Sequence, residues 1–148
     1  MLRKDEGMYR FYGADTDLSV IKGKDLLTGI TPYELYDILS EVWCRYTCAP
    51  RMREDWSEEN KTLGQCSITA FLAQDIFGGT VRGILREGGN YHCFNEVDGM
   101  IFDLTSEQFG GEVLDYDDAP LQDRSVHFAK EEKYERYKYL RDQIANRS

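Results

Sequence analysis

Residues 64–79 read GQCSITAFLAQDIFGG, and this stretch decides the fold. Ile68, Leu72 and Ile76 recur every four residues, Phe71 adds to the same side, and Gly78-Gly79 supplies a stop. The spacing therefore predicts a helix from about Gln65 to Phe77, apolar enough to be central and buried. Cys66 falls where the preceding loop becomes that helix, among backbone N–H groups that have no intrahelical partner. A cysteine whose role is packing could sit anywhere on the apolar face, whereas this position favours a thiolate.

Downstream of the helix the hydrophobic period changes. Thr80 to Arg86, Asn90 to Val97 and Met100 to Leu104 are short runs rich in Val, Ile, Tyr and Phe, separated by Gly88-Gly89 and Asp98-Gly99. Asp-Gly between such runs is a strong hairpin signal, so the pattern predicts an antiparallel meander. Upstream, Thr31-Pro32-Tyr33-Glu34 has the form of a capping box with proline at the first helical position. Leu35, Ile38, Leu39, Val42 and Trp43 continue one helical face, predicting a helix to about Tyr46. Residues 48–63 read as a long loop, Thr105 to Gln108 as one helical turn, and Asp115 to Asp118 as an acidic surface loop. From about Val126 a last helix is expected, with Tyr134, Tyr137, Leu140 and Ile144 as its stripe. The chain reads as a single α+β domain, 1–148, in which a central helix packs on an antiparallel sheet with further helices on both sides and residues 1–30 form an irregular arm.

A tight turn at Asp98-Gly99 pairs residues whose numbers sum to roughly 197, which places His92 near residue 105 and Asp103 within a diagonal step. Cys66, His92 and Asp103 thus come from one helix start and two adjacent strands. An imidazole that accepts and returns a proton must hold one tautomer, which a carboxylate on its other nitrogen enforces. The backbone N–H of Cys66, with the side-chain amide of Gln65 as a second donor, is suited to an oxyanion. Plainer readings compete, since a helix cysteine is most often a small buried hydrophobe. Cys93 is expected on the opposite face of its strand from His92, in the core. Cys44 and Cys48 lack the paired spacing of a zinc site, and His127 reads as a surface residue without a partner.

Composition narrows the classes further. The net charge of −9, with basic residues interleaved among acidic ones, argues against nucleic acid and against an anionic membrane. No apolar run is long enough to span a bilayer. The N-terminal MLRKDEGMYRFYG carries charges where a signal peptide needs an apolar core, so a cytoplasmic protein with four free thiols is expected, without metal or cofactor.

The combination of Trp56, Asn60, Gly64-Gln65-Cys66, Thr69-Ala70, Gln74-Asp75-x-Phe77-Gly78-Gly79, His92-x-Phe94-Asn95, Asp98-Gly99 and Phe102-Asp103-Leu104-Thr105-x-x-Gln108-Phe109 resembles the bacterial YunG-like family. The likeness spans about residues 35–145 and includes the late Tyr137-x-x-Leu140-Arg141. It implies a papain-like or transglutaminase-like cysteine fold, with Cys66 as nucleophile, His92 as base and Asp103 as orienting acid. It also draws Trp56, Gln65, Gln74, Asn95 and Gln108 toward the site as oxyanion or substrate-binding residues. Phe94 departs from the tryptophan expected after the histidine, which alters a pocket wall and not the proton chemistry. The expected function is a cysteine-dependent hydrolase or acyl transferase acting on an amide, isopeptide or thioester of a peptide, protein or small acyl substrate. The alternative is a non-catalytic protein- or peptide-binding module that keeps the fold.

Overall fold

The computed structural model describes residues 8–147. Helix α1, Pro32–Val42, starts as its sequence requires: Thr31 Oγ1 accepts from Glu34 N, and Glu34 Oε1 accepts from Thr31 N at 3.1 Å. It stops at Val42, short of the expected Tyr46. Trp43 turns out of the helix to donate its indole N–H to Thr69 Oγ1 at 3.0 Å. The next backbone N–H, of Cys44, then donates to Thr47 Oγ1 at 2.9 Å in place of a helical carbonyl. The loop that follows contains a short 3-10 segment, Pro50–Asp55.

Helix α2, Cys66–Phe77, is buried on nearly every side, which is why its sequence is apolar almost all round. Gly64, two residues before it, has φ +72, and a Cβ there would lie 2.5 Å from Cys48 Sγ. Only glycine meets both demands, so the approach to Cys66 depends on it.

Strands β1 (Thr80–Leu85), β2 (Tyr91–Val97) and β3 (Met100–Phe102) form one antiparallel sheet in the order β1-β2-β3. The β2–β3 register is Asn95↔Phe102, Glu96↔Ile101 and Val97↔Met100, as the two-residue turn demands. Both turn residues, Asp98 and Gly99, have positive φ, at 52 and 80°. Alternation along β2 splits its side chains between two layers. Cys93 packs on Ala70 and Phe71 of α2, while Phe94, on the other face, packs on Tyr116 and Ala119. The stretch Asp115 to Asp118 is therefore more than a surface loop: Tyr116 is buried beneath it.

The C-terminal region divides into α3, Arg124–Phe128, and α4, Glu131–Ala145. Tyr137, Leu140 and Ile144 of α4 enter the main core with Leu35, Leu39, Leu72 and Ile76, whereas Tyr134 is exposed. Residues 8–30 contain a single 3-10 turn, Leu18–Val20, and no α-helix or sheet strand. They are nonetheless held: Phe11, Leu18, Ile21 and Leu27 are buried, and Tyr12 O accepts from Asp103 N at 3.0 Å. The first seven residues of the expected arm lie outside the described residues.

Candidate active site

The first turn of α2 and the start of β2 meet at one end of a cleft of about 860 Å³. Cys66, half-buried, opens into it with Ser67 and His92. The Cys66 Sγ lies 3.9 Å from Tyr91 O and 3.9 Å from Ser67 Oγ, and the Cys93 thiol and the His92 ring are near enough to act on its protonation. His92 Nε2 is 2.6 Å from Asp103 Oδ2. With Nε2 so engaged, Nδ1 is the nitrogen left to exchange a proton with sulfur. Thiol, imidazole and carboxyl group thus stand in one row, and the diagonal step expected from the register accounts for the second contact.

Asp103 is fixed from both sides. Its Oδ2 also accepts from Tyr116 Oη at 2.7 Å, while Oδ1 accepts from Thr105 N at 3.1 Å and Thr105 Oγ1 at 3.3 Å. Such a carboxyl group cannot rotate away from His92 without losing several bonds at once. The Phe109 ring stands perpendicular to the His92 ring at 4.7 Å, and the Arg86 guanidinium, paired to Glu112, lies over the Phe109 ring.

The electrostatics follow from these contacts. The Cys66 thiol is held well below its ordinary pKa, first by the hydrogen bond from Cys93 and then by the His92 bond and charge, which together outweigh burial. Burial works against the charged ring of His92, but the charge and hydrogen bond of Asp103, with Cys66 behind them, carry its pKa up to about 10. Both shifts act in the direction of a thiolate beside an imidazolium. Cys93 is displaced the other way, well above the ordinary range, because the neighbouring thiolate and burial both keep its proton on. Its place in the core accords with the alternation of β2; that its sulfur also reaches Cys66 does not follow from alternation.

The other residues suggested for the site divide. Gln108 lines the cleft, and its Oε1 accepts from Gly64 N at 3.3 Å, tying the turn Ser106–Phe109 to the approach of α2. Gln65 is fully buried and does not line the cleft, and its Nε2 donates to Cys44 O at 3.2 Å, a carbonyl that also accepts from Thr47 Oγ1 and Cys48 N. Its amide is therefore no oxyanion donor. Trp56 donates to Lys61 O, Asn95 to Ala70 O, and Gln74 to Gly79 O. These three bonds staple loop, sheet and helix end, and none of the three side chains lines the cleft. No side chain caps the start of α2, so the backbone N–H groups of its first turn, which begins at Cys66 itself, are left without a capping acceptor. His127 is not an unpartnered surface residue: it lines the cleft, half-buried, with Nε2 2.9 Å from Gln122 Oε1 and Nδ1 3.0 Å from Lys133 Nζ. Nothing in the local sequence around His127 or Lys133 signals this, because the contact depends on how α3 and α4 fold back. Among the described residues no group of three or more His, Cys, Asp or Glu side chains is arranged to hold a metal, and no helix is long and apolar enough to cross a membrane.

Fold and site together describe an α+β protein in which a cysteine at a helix start shares a cleft with a histidine bonded to a buried aspartate. The family model described as YunG protein matches residues 31–148. The chain is 33% identical over 110 residues to "Uncharacterized protein YunG" of Bacillus subtilis (strain 168), an alignment covering 71% of this chain and 84% of that protein. The chain belongs to the YunG family. No solved structure matches it.

Proposed function

We propose that this protein is a cysteine-dependent hydrolase or acyl transferase of papain-like or transglutaminase-like type, acting on an amide, isopeptide or thioester carbonyl. The observation that carries the proposal is that Cys66, at the start of α2, lines one cleft with His92, whose ring is hydrogen-bonded to Asp103 at 2.6 Å. The Cys66 thiolate attacks the carbonyl carbon, and the backbone N–H groups at the helix start receive the developing oxyanion. His92, as imidazolium, gives its proton to the leaving nitrogen or sulfur as that bond breaks, leaving an acyl group on Cys66. Neutral His92 then takes a proton from water or an acceptor nucleophile, which attacks the acyl carbon and releases the thiolate. Asp103 holds the ring throughout.

An activated ester, p-nitrophenyl acetate, tests this without knowledge of the natural substrate. Expected are an acetyl adduct on the Cys66 peptide by mass spectrometry and nitrophenol release beyond one equivalent, both lost in Cys66→Ser and strongly slowed in His92→Ala. Acetylation no faster than that of the unfolded chain would overturn the proposal.

The contact between Cys66 and Cys93 supports a second reading, a thiol that responds to peroxide. The Cys66 thiolate attacks one peroxide oxygen, the O–O bond breaks and hydroxide leaves. Cys93 sulfur then attacks the sulfenic acid sulfur, forming an S–S bond and releasing water. A Cys66–Cys93 disulfide after stoichiometric peroxide supports this reading, and overoxidised Cys66 with Cys93 still a thiol contradicts it.

A further inference from the structure

The cleft that holds Cys66 also holds cations, not all of which the protein's own acids pair. The chain as a whole is acidic, at −9, yet Arg51, Arg86, Lys130, Lys133 and Arg136 all border this one cleft. The acids that border it pair two of the five. Glu112 is bound to Arg86 through both oxygens, Glu132 is bound to Arg136, and Asp123 caps α3 by accepting from Ser125 N and Oγ. Glu87 stands at the exposed rim. Lys133 differs from the two paired arginines: it is half-buried in the first turn of α4, and among the described residues no carboxylate pairs with it.

What Lys133 does touch is His127, and that contact has a direction. Gln122 Oε1 accepts from His127 Nε2, so the ring's other nitrogen, Nδ1, is free of a proton and accepts from Lys133 Nζ. Burial, with the charge of Lys133 beside it, keeps this ring neutral, its pKa lowered to about 4. The ammonium, which lines the cleft, is thereby held in place by a neutral acceptor that cancels none of its charge. Burial lowers the Lys133 pKa, the charge at Cys66 only partly opposes this, and no carboxylate adds to it, so an anionic group on a ligand would offset the remaining cost of the buried ammonium. Lys133 is not required to make Cys66 a thiolate, since Cys93 and His92 already do so.

We infer that Lys133, held by His127, is the recognition point for a carboxylate on the substrate, so that the acyl compounds processed at Cys66 are anionic ones. The inference rests on the proposed role of Cys66. A single ammonium beside a neutral imidazole suits a monoanion; a phosphate dianion calls for several donors or a guanidinium fork.

Two small alkylating agents that differ only in this feature separate the claims. Iodoacetate carries a carboxylate and iodoacetamide a neutral amide, and both alkylate sulfur through their methylene carbon with loss of iodide. The ratio of their second-order rates at Cys66 is compared with the same ratio at glutathione. The expected result is a ratio well above that of glutathione, falling roughly five- to tenfold in Lys133→Gln, the effect of one partly screened charge. It is retained in Lys133→Arg. Both reagents meet the same thiolate, so the ratio cancels any change in thiolate fraction that loss of the charge brings, and an unchanged far-ultraviolet circular dichroism spectrum and urea midpoint show that each variant remains folded. A fast iodoacetamide reaction with a glutathione-like ratio, or a ratio unmoved by Lys133→Gln, overturns carboxylate recognition and leaves the thiolate intact. Slow reaction with both reagents overturns the activated thiol itself, and this inference with it.

Discussion

Replacing Tyr116 by phenylalanine isolates one of the bonds that hold the orienting carboxyl group. The hydroxyl donates to Asp103 Oδ2 at 2.7 Å, an oxygen that His92 Nε2 also approaches at 2.6 Å. The ring packing survives the change: Phe94 meets it edge-on at 4.9 Å and Tyr12 stacks on it at 3.8 Å, and neither contact uses the hydroxyl. A hydrogen bond to a charged group contributes about 1.5–3 kcal/mol, and because His92 still serves Oδ2 no acceptor is orphaned, so the lower end, about 1.5 kcal/mol, applies. In a domain of this size that corresponds to a fall in Tm of about 3–6 °C. Burial and the charge of Asp103 push the phenol pKa far above its ordinary range, so Tyr116 is a donor at any working pH. The loss should therefore be constant between about pH 6 and 9, below the range in which a free phenol titrates. Urea titrations of both proteins measure it as a change in midpoint at unchanged slope. A difference within about 0.5 kcal/mol, the range of an ordinary surface change, would refute the claim that this bond anchors Asp103.

Loss of the Cys93 thiol, as Cys93→Ala, should raise the Cys66 pKa, because the hydrogen bond that most favours the thiolate disappears; Cys93→Ser, which keeps a donor, should restore much of it, as read from alkylation rate against pH. His92 has a folded pKa raised to about 10, so its contribution to stability is full below about pH 6.5 and is lost as pH rises toward the folded value. The stability gap between Cys66→Ala and the double variant Cys66→Ala/His92→Gln should accordingly narrow above about pH 6.5, measured by denaturant titration in the absence of the thiol's opposing titration. Gly64→Ala meets both a positive φ and the Cys48 sulfur at 2.5 Å and should cost about 2–3 kcal/mol in urea, whereas Gly89→Ala, with φ +82 and open space, should cost about 1 kcal/mol.

Much of the scaffold was legible because its signals are local. Thr31, Pro32 and Glu34 satisfy the orphan donors of one helix turn, and Asp98-Gly99 accepts the backbone angles that set the register. From that register alone His92 and Asp103 emerge as neighbours. What stayed hidden depends on contacts between distant segments. Tyr116 reaches Asp103 from a loop whose acidic sequence suggests solvent, and Lys133 reaches the cleft only because α4 packs back across α2. Gln65 misled for a related reason: its place beside Cys66 suggests an oxyanion donor, but its side chain is turned into the interior, where its amide joins the turn after α1 at the Cys44 carbonyl. Trp56, Gln74 and Asn95 likewise serve the joints between elements. Conspicuous polar residues near a nucleophile can be there to satisfy the backbone around it.

The pH dependence of iodoacetamide alkylation at the Cys66 peptide, in the wild type and in His92→Ala, tests the thiolate–imidazolium pair most directly. A half-maximal rate well below the pH of an ordinary thiol, moving upward when His92 is removed, is the predicted result. A profile like that of free cysteine, the same in both proteins, would contradict it.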